Sequence, residues 1–325
     1  MKSRDRSVWL AVCLVFVTLG LFSEIDAEAV AADAGHEVAA AQSADDEAVI
    51  TRPPAELGLN PIYTKYLSAE GFPIVATAKT DDRALFEAAY VIDQMLANRP
   101  DIRKKLIERG ARLVIWAHNE FTTDLPEWAD MKPKDFWDRR ARGLGGLVCS
   151  VGEENLLGLA GDPYEEESIL VHEFAHNVHL QGLNHLDPEF DKRLRDLYTK
   201  QLKKGLWEGT YASRAHTEYF AEAVQSYFNT NRQPDHDHNH VDTRAELKEY
   251  DPEVYQLLVE VFGPVDWVYT KPATRPTGHL AGFVPEKAPR FEWPEHLEKL
   301  GDEIRAKAVA EREKWLAEQG LLKDE

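Results

Sequence analysis

The hydrophobic pattern divides the chain into three stretches of different character. From Val8 to Phe22 apolar residues run almost without a break, after Lys2, Arg4 and Arg6 and ahead of Ala27-Glu28-Ala29. A basic start, a short apolar run and a small-x-small site form the pattern of an export signal, here cleaved after Ala29. The run is shorter than the ~20 residues of a spanning helix, so a retained N-terminal anchor is the secondary reading. Val30 to Glu56 is rich in Ala, Asp and Glu, lacks aromatic residues and carries Pro53-Pro54 near its end. Such a segment buries too little apolar surface to fold, and residues 30–56 are predicted to be a disordered linker. The globular domain is predicted over 57–325.

Inside that domain the period switches between strand and helix. Phe72 to Ala76 reads as a short strand. Asp81 or Asp82 caps a helix whose apolar positions Leu85, Ala89, Ile92 and Leu96 recur at helical spacing until Pro100. A second helix over Ile102 to Arg109 ends at Gly110, and Arg112 to Ala117 is a buried strand. Glu120 to Pro133 is loop-like, and Gly143 to Gly146 breaks the chain before a strand at Leu147 to Val151. Helices follow over Glu165 to Gln181, Pro188 to Lys204, Ala215 to Phe228, Asp251 to Phe262 and Pro294 to Gly320. The last carries Leu297, Leu300, Ile304 and Ala308 on one stripe, the mark of a docking helix. No internal repeat is evident. The class is therefore α+β, a small sheet packed on a mainly helical half.

Charge narrows the partners. With 38 basic and 57 acidic side chains the net charge is −19, and no basic block offsets it. Phosphate backbones and anionic lipid are repelled, so nucleic acid is not an expected partner. No segment after the signal is long and apolar enough to insert stably in a membrane, and the expected location is secreted or extracytoplasmic. Of the two cysteines, Cys13 lies within the apolar run with Leu14 to Phe22 still to follow, a poor position for lipidation. Its removal leaves Cys149 alone, so the mature chain has no intramolecular disulfide. Oligomeric state is not legible.

The chemistry concentrates at His172-Glu173-Phe174-Ala175-His176, an HExxH motif within an apolar helical stretch. Two histidines four apart project from one helical face, so both imidazoles can reach one ion at the ~2.0–2.1 Å of a zinc–nitrogen bond. Glu173, beside them, is placed as general base for a water that the metal acidifies. Because the motif fixes only three residues, a third ligand decides its meaning. A metzincin needs glycine at position 179 and histidine at position 182, and this chain has His179 and Gly182. The remaining common solution is a glutamate from a second helix. Glu218-Tyr219-Phe220-Ala221-Glu222 offers two carboxylates four apart on one face of a strongly apolar helix. Glu218 is taken as the ligand, giving one Zn²⁺ held by His172, His176 and Glu218. Glu222 is the expected acceptor for the ring N–H of a ligating histidine.

This order of motifs, with Tyr211 seven residues before Glu218, resembles the catalytic domain of anthrax lethal factor and its wider family of extracellular gluzincin zinc metallopeptidases. The resemblance spans Leu144 to Phe228. It implies a zincin-like fold, a protein or peptide substrate, Glu173 as base, Glu218 as third zinc ligand and Tyr211 as the phenol that steadies the oxyanion. A phenol in that place makes physical sense, because attack builds negative charge on the carbonyl oxygen. Glu120 to Asp124 and Gly152 to Asn155 look more like uncharacterised secreted bacterial members of this superfamily than like the toxin. Nothing in 325 residues matches the toxin's cell-binding module, so host-cell entry does not carry over.

Other groups compete for attention. Asp235-His236-Asp237-His238-Asn239-His240 alternates carboxylate and imidazole, which suits a second metal, delivery of zinc to the first site, or a solvated loop. His179, His185 and His216 are near enough in sequence to shape the pocket or to replace Glu218. Leu147 to Val151 is either a core strand or the edge along which an extended peptide pairs. Two rival functions stay in view: a silent zincin-like domain that binds protein or glycan at the cell surface, and a structural zinc domain. Glu173 argues against the first, and three protein ligands without a fourth argue against the second.

Overall fold

The computed structural model describes residues 49–235 and 237–318. The expected signal over 1–29, Cys13 and the first part of the expected linker lie outside those residues. The end of that linker is attached to the domain: Thr51 exchanges backbone hydrogen bonds with Tyr66, at 2.9 and 2.8 Å, and Ile50 packs against the core.

A strand over Tyr63–Ala69 (β1) and one over Phe72–Thr77 (β2) form a hairpin. Its two connecting residues, Glu70 and Gly71, both have positive φ, at 48° and 92°, as a tight two-residue hairpin turn requires. The sequence reading missed β1, whose polar Thr64, Lys65 and Ser68 dilute the alternation. Two helices follow, α1 (Asp82–Met95), capped by the Asp81 carboxylate accepting from the Arg83 N–H, and α2 (Pro100–Glu108), opened by its proline. Strand β3 (Arg112–Trp116) runs parallel to β2. After a loop and a short helix α3 (Lys134–Arg140), the two-residue strand β4 (Gly143–Leu144) pairs antiparallel with β5 (Val148–Gly152), which lies parallel to β3. The sheet order is β1-β2-β3-β5-β4.

The two faces of the sheet serve different cores. Ile74, Ala76, Leu113 and Ile115 join the main core with the helices, while the alternate residues Val75, Val114 and Trp116 build a smaller cluster with Tyr63 and Leu125. Helix α4 (Glu153–Leu157) follows β5 directly, and α5 (Ile169–Asn177) lies across β5 on the main-core side. Helix α5 starts four residues later than its hydrophobicity suggests, because the Ser168 hydroxyl accepts from the Val171 N–H and sets the cap there. It then widens into a π-helical segment over Val178–Leu183, ahead of the single turn α6 (Asn184–Leu186). Helices α7 (Phe190–Lys203) and α8 (His216–Tyr227) follow, and α8 packs along α5 with every residue from Thr217 to Tyr227 buried. Helices α9 (Arg244–Tyr250), α10 (Pro252–Phe262) and α11 (Glu295–Glu318) complete the described chain. The whole is a mixed α+β domain with one five-stranded sheet and a larger helical part. Among the described residues no helix is long and apolar enough to cross a membrane.

Candidate metal centre

Helix α5 presents His172 and His176 on the face turned to α8, each 8% exposed, with ring centroids 5.0 Å apart. From α8 the Glu218 carboxylate, equally buried, brings Oε2 to 3.1 Å from His172 Nε2 and 3.5 Å from His176 Nε2. Ligand atoms on a tetrahedral zinc with bonds of about 2.0–2.1 Å stand roughly 3.3 Å apart, so these separations suit an ion between them. Two neutral imidazoles and a carboxylate are also a donor set that zinc accepts. The Glu173 carboxylate joins the two rings in a group whose ligand atoms all lie within 4.8 Å of one another.

The charges of these groups are tied together. Burial pushes His172 toward neutrality, but hydrogen bonds with Glu218 and Glu222 outweigh it and raise its pKa well above the ordinary value. Burial likewise pushes Glu218 up, yet His176 and His172 reverse the effect and hold the carboxyl well below its usual range. Glu173 has no such compensation. Burial raises its pKa, with the charges of His172 and His176 opposing, which makes it a stronger proton acceptor than a solvated carboxylate.

Behind the rings stands a polar layer. His172 Nδ1 is 2.9 Å from Gln225 Oε1 and 3.3 Å from Glu222 Oε1, so the acceptor that the sequence assigned to Glu222 alone is shared, with Gln225 nearer. Gln225 is fixed in turn by donating to Glu167 Oε2 at 3.0 Å and to the Ser168 carbonyl at 3.3 Å. Glu222 Oε2 accepts from Asn231 Nδ2 at 3.2 Å and lies 3.5 Å from His238 Nε2. Gln225 follows Glu218 and Glu222 at helical spacing, a signal that could have found it; His238 belongs to the Asp235 to His240 run already singled out, but nothing in that run pointed to Glu222.

The cleft in front of the rings is lined by Tyr211, Arg140, Gly143, Tyr164, Arg214 and Arg232, among others. Tyr211 is placed by its backbone N–H, which donates to the Asp237 carbonyl at 2.7 Å, and by the Arg214 guanidinium 4.5 Å from its ring centroid. Its ring lies 6.0 Å from that of His172, and burial followed by the Glu218 charge raises its pKa.

Glycines at β4 allow the sheet to approach α5. A Cβ on Gly145 would stand 2.7 Å from His176 Cβ, and one on Gly143 would stand 2.2 Å from Ile169 Cγ2. Of the two readings of Leu147 to Val151, the core strand is the one observed: β5 is flanked by β3 and β4, and the edge next to the motif is β4. Position Arg142, just before β4, is anchored by a bidentate ion pair with Glu154 in which neither side chain is exposed.

The remaining candidates separate. His179 and His216 both turn to Asp191, with each Nε2 3.0 Å from its Oδ1, and His185 is exposed. Of the run from Asp235 to His240, His236 lies outside the described residues. His238 meets Asp235 Oδ1 through Nδ1 at 2.8 Å and Glu222 through its other nitrogen, so the run borders the metal centre.

No family model matches the chain, and no curated protein matches it. Among solved structures, one match is the Pro-Pro endopeptidase of Paenibacillus alvei, at a TM-score of 0.38 and 22% identity, covering 58% of this chain and 97% of that one. A TM-score that low leaves the two backbones too different for the likeness to carry an argument, so the geometry of the site carries the functional reading.

Proposed function

We propose that the protein is a secreted zinc-dependent peptidase of the zincin-like, gluzincin kind, with His172, His176 and Glu218 as ligands of one Zn²⁺. The observation that carries this reading is the convergence of Glu218 Oε2 on both histidine Nε2 atoms, at 3.1 and 3.5 Å, from a helix 42 residues further along the chain. Zinc bound there supplies a Lewis acid that acidifies water and polarises a carbonyl. Glu173 accepts the proton of the attacking water and passes it to the leaving amine. The Tyr211 hydroxyl, kept protonated by its raised pKa, donates to the carbonyl oxygen as charge builds there. The β4 backbone at Gly143 and Leu144, an edge with no side chain at its first position, is suited to pair with an extended peptide. Export follows from the N-terminal pattern, and the acidic surface disfavours nucleic acid.

A structural zinc is the second reading, favoured by one observation: the Glu173 carboxylate is close enough to the histidine pair to close a fourth position. Glu173→Gln separates the two. In a peptidase this variant keeps its zinc through dialysis and loses hydrolysis of an unstructured protein substrate by at least about 10²-fold. If zinc affinity collapses with it, Glu173 is a ligand and the structural reading holds. Unchanged hydrolysis removes Glu173 from the base role.

A further inference from the structure

Three ligand-type side chains meet a second time, outside the centre described above. His179 lies in the π-helical segment after α5, Asp191 in the first turn of α7 and His216 at the start of α8. Their ligand atoms all lie within 4.8 Å of one another. His179 Nε2 and His216 Nε2 are each 3.0 Å from Asp191 Oδ1, within a few tenths of the roughly 3.3 Å between donors on a tetrahedral zinc.

Hydrogen bonding gives an incomplete account of this cluster. Asp191 accepts from both rings and, through Oδ2, from Arg195 Nε at 2.6 Å, but His179 Nδ1 is buried with no hydrogen-bond partner among the described residues. An ion on Nε2 leaves Nδ1 equally without a partner, so it is the three converging donors and the backbone that point to a metal. The backbone supplies a separate observation. The helix abandons α spacing at Val178–Leu183, and π-helical segments of this kind are rare and concentrate at functional sites. The π segment gives His179 its place beside α7 and α8, one turn past His176.

We propose that His179, Asp191 and His216 form a second site for a divalent transition-metal ion, zinc by its donor set, spanning the helices that also carry the first. Two imidazoles and one carboxylate suit zinc or its neighbours and disfavour calcium and magnesium, which take oxygen ligands. The cluster is open on one side: the His179 side chain is fully buried, whereas those of Asp191 and His216 are 27% and 17% exposed, so an ion has a route from solvent. The Arg195 guanidinium on the same carboxylate opposes a cation. The second site therefore binds more weakly than the first, and an ion in it ties α7 to the pair of helices that hold the catalytic ligands.

The test is a zinc titration of metal-stripped full-length protein against a chromophoric chelator, with thermal midpoints recorded at one and two equivalents. Two binding events are expected, the second at least about tenfold weaker and accompanied by a further rise in midpoint. His216→Ala and Asp191→Asn should each abolish the second event and leave the first. His172→Ala should do the reverse. A single event in the unmodified protein, untouched by His216→Ala and Asp191→Asn, overturns the second site and leaves the peptidase reading standing. A second event that survives both variants places that ion elsewhere, with the run from Asp235 to His240 the next to test, and overturns the assignment equally. Should the unmodified protein show a single event that survives His172→Ala and vanishes with His216→Ala, the first centre fails and this one stands. His216→Ala and Asp191→Asn alter different helices, so where one variant does not fold the other still reads the assignment.

Discussion

Gly145 approaches His176 so closely that a methyl group on its Cα would stand 2.7 Å from the His176 Cβ and 2.8 Å from Cδ2. Its φ is not in the left-handed region, so the constraint is space alone. Gly145→Ala must push the imidazole away from Glu218, at an overpacking cost of about 1–3 kcal/mol. The expected outcome is a loss of zinc during dialysis against a moderate chelator and a fall in activity that added zinc restores only in part. Zinc retention equal to that of the unmodified protein would show that α5 gives way instead of the ring.

Gln225 tests the support behind the metal. With Oε1 at 2.9 Å from His172 Nδ1, it would, in the proposed zinc site, hold the ring proton on Nδ1 and leave Nε2 to ligate. Gln225→Met keeps the volume and removes the acceptor, and is expected to weaken zinc binding about 10–100-fold. Glu222→Gln, acting from 3.3 Å, should cost less. Competition with a zinc chelator ranks the two, and an inverted ranking would make Glu222 the acceptor that matters.

Legibility followed the range of the interaction. His172 and His176 were readable because four-residue spacing on a helix is local, and Glu218 because its own helix is apolar enough that a carboxylate there has somewhere buried to point. The four helices predicted from Pro188 onward appear within one or two residues of their limits, the end of the last lying outside the described residues. Strand β1 was not read because its polar Thr64, Lys65 and Ser68 dilute the alternation, and the short charged helix α3 because it packs against α11, distant in sequence. Helix α9 had a signal that went unused, the capping box of Thr243 and Glu246. Gly145 carries no chemical label of its own, and His238, flagged within the run from Asp235 to His240, had no partner assigned; both meet the motif through β4 and a loop folding against it, which no spacing rule encodes. The π segment was concealed because hydrophobicity does not distinguish α from π turns.

The Arg142–Glu154 pair should be a point of high stability cost. Both side chains are fully buried, Arg142 also donates to the Glu120 carbonyl at 2.6 Å, and the pair anchors the chain where it enters β4. Glu154→Gln leaves a guanidinium buried without its counter-charge, a loss of about 3–5 kcal/mol. Replacing both partners by apolar residues, Arg142→Met with Glu154→Leu, removes the stranded charge and should be less destabilising than the single change. Urea denaturation of the three proteins decides it. A double variant weaker than the single one would mean that the hydrogen bonds from Arg142 to the Glu120 and Ala117 carbonyls, and not the charge, are what the pair contributes.

Asp162 should give the fold a pH dependence opposite in sign to that of most carboxylates. Burial first, and the charge of Glu154 second, push its pKa from 3.8 up to about 7, although the Tyr164 N–H and the Asn155 side chain donate to it and pull the other way. The folded chain therefore keeps a proton that the unfolded chain has lost between those two values. The contribution to stability is fully present below the unfolded pKa and disappears as pH rises through about 7, a swing of the order of 4 kcal/mol at most. Carboxylates such as Glu218, whose pKa is lowered, contribute with the other sign, so the useful quantity is a difference between proteins. Asp162→Asn keeps one acceptor and has no proton to lose. Its stability relative to the unmodified protein should rise between pH 5 and pH 8.5, by about 2–4 kcal/mol in denaturant titrations at each pH. Parallel stability curves for the two proteins across that interval would mean that Asp162 is ionised throughout, held so by its two hydrogen-bond donors.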